Sequence, residues 1–162
     1  MDADIIFSTD KFLTMSFVTG IQSTNFLAAN QAVTSSVTPV DITGFTFNLG
    51  AGRRLVWELW GIFSLGATGG FRFLAHNTSA PTTYNATFQV VDETTPTTFQ
   101  DAQTTEAAFT NASAVASNYL LTASGIVIAN AATVFSIQFA QNNSTANPIT
   151  MLAGARMRIT QI

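Results

Sequence analysis

The spacing of its apolar residues constrains this chain more than any other feature. They fall in short alternating runs closed by Gly, Asn or Pro, and no long segment repeats them at helical intervals. In Ile42-Thr43-Gly44-Phe45-Thr46-Phe47-Asn48-Leu49, the side chains of Phe45, Phe47 and Leu49 share one face of a half-buried strand, and Thr46 and Asn48 take the other. Thr133 to Ala140 follows the same rule. Phe135, Ile137 and Phe139 point one way, Ser136 and Gln138 the other, and Asn142-Asn143-Ser144 supplies turn chemistry at the end. Shorter runs lie at Ala28 to Val40, Phe71 to Ala75, Thr87 to Val91, Tyr119 to Thr122, Gly125 to Ala129, Ile149 to Leu152 and Arg156 to Ile162. Eight to ten strands from Ala28 onward, with no helix between them, predict an all-β fold: an antiparallel sandwich or jelly roll.

One strand departs from simple alternation. In Leu55-Val56-Trp57-Glu58-Leu59-Trp60-Gly61-Ile62-Phe63 the first face carries Leu55, Trp57, Leu59 and Phe63, and the second carries Val56, Glu58, Trp60 and Ile62. Both are apolar enough to be buried, so the strand is expected to pack on its own core on one side and on a second subunit on the other. Val56, Trp60 and Ile62 are therefore candidate interface residues. Arg156 and Arg158, which share a face of the last strand, join them, with cross-strand pairing to an acid as their ordinary role.

Composition points the same way. Only 9% of the 162 residues are charged while 47% are hydrophobic, against about 25% charged in an ordinary domain, so little of the surface is protected from association. Obligate self-assembly accounts for that shortage. A net charge of -3 with six scattered cations, Lys11, Arg53, Arg54, Arg72, Arg156 and Arg158, argues against nucleic acid as a partner. No apolar run approaches the roughly 20 residues of a membrane span, and Met1-Asp2-Ala3-Asp4 has the wrong charge for a secretory signal, so a soluble product made in a cytoplasm is expected. Without cysteine there is neither a disulfide framework nor a thiolate metal site.

Catalytic chemistry finds few candidates. His76 is the single histidine, which rules out the multi-histidine metal site of cupin-like enzymes, and its expected role is a surface-turn or satisfied, partly buried residue. Asp92, Glu93, Asp101 and Glu106 fall in a loose Thr/Pro-rich stretch from Asp92 to Ala116, read as a long surface loop; their spacing lacks the Gly-punctuated pattern of a calcium loop. Ser124-Gly125 reads as turn material rather than a nucleophile elbow. Trp60 with Val56 offers a possible sugar-stacking platform, against which aromatic core or subunit interface is the stronger reading. No enzymatic activity, cofactor or metal is expected.

The stretch Val40 to Arg53, with its Gly44 and Gly50-Ala51-Gly52 turns, runs into Leu55-Val56-Trp57-Glu58-Leu59 and later Gly69-Gly70-Phe71-Arg72-Phe73. Together with Gly125-Ile126-Val127-Ile128, Ile137 to Asn142 and the closing Ala153-Gly154-Ala155-Arg156-Met157-Arg158-Ile159, it resembles a jelly-roll module of tailed-phage structural proteins, similar in shape to tumour necrosis factor and C1q. The resemblance covers about Ala28 to Ile162. It departs at Ala155, where the module usually has Ser, and in a longer stretch from Pro81 to Ala116. It implies a homotrimer of the kind found on phage heads, tails and fibre tips, hence a virion location. Residues 1–26 are expected to be an N-terminal arm or an extra edge strand, and residues 27–162 the jelly-roll domain. The expected function is a capsid decoration or cement protein bound to the major capsid protein or other virion proteins. The alternative is a tail-fibre or tail-tip module that binds a receptor or a host-surface glycan.

Overall fold

The computed structural model describes residues 21–66, 69–95, 97–112 and 114–162. Most of the expected arm, residues 1–20, lies outside the described residues; Ile21–Phe26 form strand β1. Eleven strands follow: β2 (Gln31–Val33), β3 (Val40–Leu49), β4 (Arg54–Leu65), β5 (Phe71–Asn77), β6 (Thr83–Asp92), β7 (Thr98–Gln103), β8 (Phe109–Asn111), β9 (Ser117–Ile128), β10 (Thr133–Gln141), β11 (Ile149–Met151) and β12 (Arg156–Gln161). The described residues contain no helix, and every strand pairing is antiparallel.

The strands make a two-sheet β-sandwich. The large sheet runs β1-β12-β4-β9-β6-β7, with β11 beside the end of β4 and β2 beyond β11; the small sheet runs β3-β10-β5-β8. From β2 onward the chain changes sheet at almost every connection, the exceptions being the β6–β7 hairpin and the β11–β12 join. β4 is long enough to hold two partners end to end, β12 along Leu55–Trp60 and β11 along Phe63–Leu65. At their join Gly154 adopts φ +89°, a conformation open to glycine, and the Leu152 amide donates to the Ile62 carbonyl at 2.9 Å.

Alternation puts the core between the sheets. Leu55, Trp57, Leu59 and Phe63 are buried from the large sheet and Phe71, Phe73, Phe135, Ile137 and Phe139 from the small one. Each such side chain contributes about 1.5–3 kcal/mol by leaving water. The rings also meet edge to face: Phe63 lies 5.4 Å from Phe71 and 5.0 Å from Phe73 between centroids, a geometry worth about 0.5–1.5 kcal/mol per pair beyond burial. Tyr84 ties the layers together, its hydroxyl donating to the Ala75 carbonyl at 3.1 Å. Burial, and then the nearby Glu106 charge, raise its pKa well above the ordinary tyrosine value.

Three local expectations change. Phe45 and Leu49 are buried but Phe47 is only partly so. Ile42 and Phe45, three residues apart, both face inward because β3 is irregular around Gly44 (φ +83°), where its register on β10 shifts. Secondly, the stretch from 92 to 116 is not a loop, since it contains β7 and β8. Each is short or lies at a sheet edge and needs little more than one apolar anchor, Phe99 and Phe109, so the surrounding Thr and Ala hide the strands from a hydropathy reading. Asp92 there is buried and organises a turn: it accepts from the Thr94 amide at 2.8 Å, the Ser117 hydroxyl at 2.8 Å and the Thr95 hydroxyl at 3.1 Å. The Thr94 amide, outweighing burial, holds its carboxyl below the usual aspartate range, helped by Ser117 and Thr95. Thirdly, Ser124-Gly125 lies inside the continuous twelve-residue β9.

Candidate functional site: the outer face of the large sheet

The two outer faces differ in chemistry. On the small sheet the outward positions of β3, β5 and β10 include Thr46, Asn48, Arg72, His76 and Gln138 together with Leu74, Val134 and the buried Ser136 and Ala140, a mixture of polar groups and aliphatic side chains. On the large sheet the outward positions of β4 are Val56, Glu58, Trp60 and Ile62, those of β9 include Leu120 and Ile126, and β1 adds Phe26. Phe26 is 60% exposed, Leu120 42%, Ile126 38% and Ile62 37%, high values for large apolar side chains clustered on one surface.

Register builds this surface in rows. Cross-strand neighbours on one face of an antiparallel sheet sit side by side. Phe26, Arg156, Trp60 and Thr122 are successive neighbours across β1, β12, β4 and β9, and the row continues to Gln89 and Gln100 on β6 and β7. The next outward row is Thr24, Arg158, Glu58, Ser124, Thr87 and Ala102. All five candidate interface residues, Val56, Trp60, Ile62, Arg156 and Arg158, thus stand on this face.

The two arginines have different partners. Arg158 Nη2 lies 2.7 Å from Glu58 Oε2, with more than half of the arginine side chain exposed, so the pair contributes about 0–1 kcal/mol. Arg156 stacks on Trp60, its guanidinium carbon 4.6 Å from the ring centroid. It has no carboxylate partner among the described residues. That stacking covers one face of the indole, the surface a sugar ring would use. Beside it the short Ser124, Thr87 and Ala102 row leaves two shallow furrows of about 420 and 260 Å³ between taller rows.

Sequence reasoning did not single out Phe26, Leu120 and Ile126. Phe26 fell in the expected arm, and the split drawn at Ser124 cut β9 into pieces too short to show alternation. A continuous reading of Tyr119 to Ile128 would have shown Leu120 and Ile126 on the face opposite Tyr119, Leu121 and Val127. Gly125 sits within β9 because the Trp57 indole and the Asn85 carbonyl occupy the space a side chain there would need, while β9 stays paired with β4 and β6 through this position.

His76 lies on the other sheet. Its Nδ1 is 2.6 Å from Glu106 Oε1, and Glu106 Oε2 accepts from the Asn77 amide at 3.0 Å, which fastens the β7–β8 connection to the end of β5. Ser136, the cross-strand neighbour of His76, is buried. Among the described residues no group of three His, Asp or Glu side chains is placed to hold a metal ion, and no helix is long and apolar enough to cross a membrane.

Fold and face together define an antiparallel two-sheet β-sandwich whose large-sheet outer face carries exposed apolar side chains beside charged, hydroxyl and amide groups. Compared with models of known families and with curated proteins, the chain matches none.

Proposed function

We propose that the protein is a non-enzymatic structural component of a bacterial-virus particle, a capsid decoration or cement protein that works as a trimer of jelly rolls. The observation that carries the self-assembly in this reading is the contrast between the two outer faces. Phe26, Trp60, Ile62, Leu120 and Ile126 give the large sheet exposed aromatic and aliphatic side chains around a stacked arginine, whereas on the small sheet the exposed large apolar residue is Val40. Interfaces are enriched in aromatic residues and arginine and depleted in lysine and acids, and this face has that composition. Burying it against other copies stabilises a shell without chemistry.

Strand order supports the jelly-roll part. With the β6–β7 hairpin and the short β2 and β11 set aside, β1-β12-β4-β9 and β3-β10-β5-β8 are two four-strand layers between which the chain crosses at every step except β5 to β8, which pair with each other, as in a jelly roll made of two Greek keys. The hairpin adds two strands to the edge of the large sheet beyond β9, within the stretch that departs from the phage module. The phage assignment itself rests on the resemblance of the Gly-bounded strands from Ala28 to Ile162.

Light scattering tests the assembly. A particle of three 17.2 kDa chains is expected, and a stable monomer at micromolar concentration would refute the trimer. Electron microscopy of intact particles tests the location, with density on the capsid surface expected. Density confined to a fibre tip would favour the receptor-binding alternative.

A further inference from the structure

We infer that the inward row Trp57, Gly125, Ala86 and Gln103 is a binding site for one hydroxyl group, which accepts from the Trp57 indole N–H and donates to the Gln103 side-chain oxygen. A buried water and a small polyol such as glycerol both supply that chemistry. The site stands whether or not the protein is a trimer.

The four residues are successive cross-strand neighbours on β4, β9, β6 and β7, on the side of the large sheet that faces the interior. Trp57 is 0% exposed, Ala86 3% and Gln103 8%. Trp57 and Gln103 each carry a polar atom closed to solvent and without a hydrogen-bond partner among the described residues, the indole Nε1 and the amide Oε1. Each left unmet is costly, and one bridging group satisfies both. The ends of the row are three strand spacings apart, about 14 Å. From one end the indole reaches over β9: its Cε2, to which Nε1 is bonded, and its Cζ2 stand 2.8 and 2.7 Å from where a Gly125 Cβ would be. Next comes Ala86, then Gln103. Within this row only a methyl group therefore stands between the indole and the amide. All four residues also line the larger furrow of about 420 Å³, several times the roughly 30 Å³ share of one liquid water.

The chemistry of the two atoms selects the guest. Gln103 Nε2 donates to Asp101 Oδ2 at 3.0 Å, which fixes the orientation of the amide and leaves Oε1 as its free end. A guest must accept from the indole N–H and donate to the amide oxygen at once. A cation would face the indole donor, and an anion would face the amide oxygen with the Asp101 carboxylate behind it. A neutral hydroxyl does both. Buried waters are held by about two to four polar partners, and this pair meets that requirement.

NMR on the full chain tests the site. The chain has two tryptophans, so Trp60→Phe assigns the Trp57 indole N–H signal. In polyol-free buffer that signal should show a persistent cross-peak to a bound water. Glycerol then distinguishes the two sources: a cross-peak that survives its addition identifies water, and a saturable shift that replaces the cross-peak identifies a polyol. Gln103→Met, similar in length but without the amide oxygen, should abolish the cross-peak and any glycerol shift in a protein whose other signals are retained. An indole N–H in the unmodified protein with neither a water cross-peak nor a response to glycerol would overturn the inference without recourse to a variant. So would a cross-peak or shift that persists unchanged in Gln103→Met.

Discussion

Gly125 sits in the middle of β9 with Trp57 of β4 on one side and Ala86 of β6 on the other. A Cβ placed there would come within 2.3 Å of the Asn85 carbonyl oxygen and within 2.7 Å of the Trp57 ring. Neither neighbour can yield easily, since the carbonyl is part of the β6 backbone and Trp57 is fully buried among Phe88 and Phe135. Gly125→Ala should therefore force β6 and β9 apart by several tenths of an ångström. The overpacking costs about 1–3 kcal/mol, and weakening a ladder hydrogen bond costs about 1 kcal/mol more. An opposing term exists: Gly125 is not among the glycines with positive φ, so alanine gains about 0.4–1 kcal/mol by restricting the unfolded chain. The net expectation is a loss of about 2–3 kcal/mol, a large part of a typical stability of about 5–15 kcal/mol. Urea denaturation at one fixed protein concentration, which keeps any contribution of assembly constant, would measure it. A loss under about 0.5 kcal/mol would mean that the sheet yields freely, and would refute the account of why β9 carries glycine at this position.

Other expectations follow from the same geometry. Ile62→Ser with Leu120→Ser, both on the exposed apolar face, should change protomer stability by no more than about 1 kcal/mol yet raise the dissociation constant of the assembly by about 30-fold, measured by sedimentation. Gln141, 1% exposed, accepts from the Ser36 and Thr145 amides and donates to the Thr145 and Asn147 carbonyls, so Gln141→Ala should cost about 2 kcal/mol and speed hydrogen exchange at Ser36 and Thr145. The Asp92 carboxyl is held below its unfolded value, so its contribution is present above that unfolded value and disappears as pH falls through the folded one. An NMR titration should place its midpoint below that of an ordinary aspartate, and Asp92→Asn should flatten the acid limb of the stability profile; an ordinary midpoint would refute the role given to the Thr94 amide.

The fold class was legible because alternation is a local property. Phe135, Ile137 and Phe139 lie on the buried face of a strand whatever the rest of the chain does, and the same holds for Leu55, Trp57, Leu59 and Phe63. The two-sided character of β4 was legible for the same reason, and it pointed to Val56, Trp60 and Ile62. Strands held by few apolar residues were not legible. β7 and β8 depend on Phe99 and Phe109 meeting a core assembled from distant segments, and nothing within Asp92 to Ala116 announces that core.

Only the tertiary structure decided which residues become neighbours across strands. Arg156 and Trp60 are 96 positions apart, and register alone places the guanidinium on the indole. The same register puts Glu58 rather than another acid beside Arg158, and brings Phe26, Leu120 and Ile126 onto one surface with them. Alternation tells each residue which face it occupies, whereas strand order and register, which come from the closing of one shared core, determine what lies beside it.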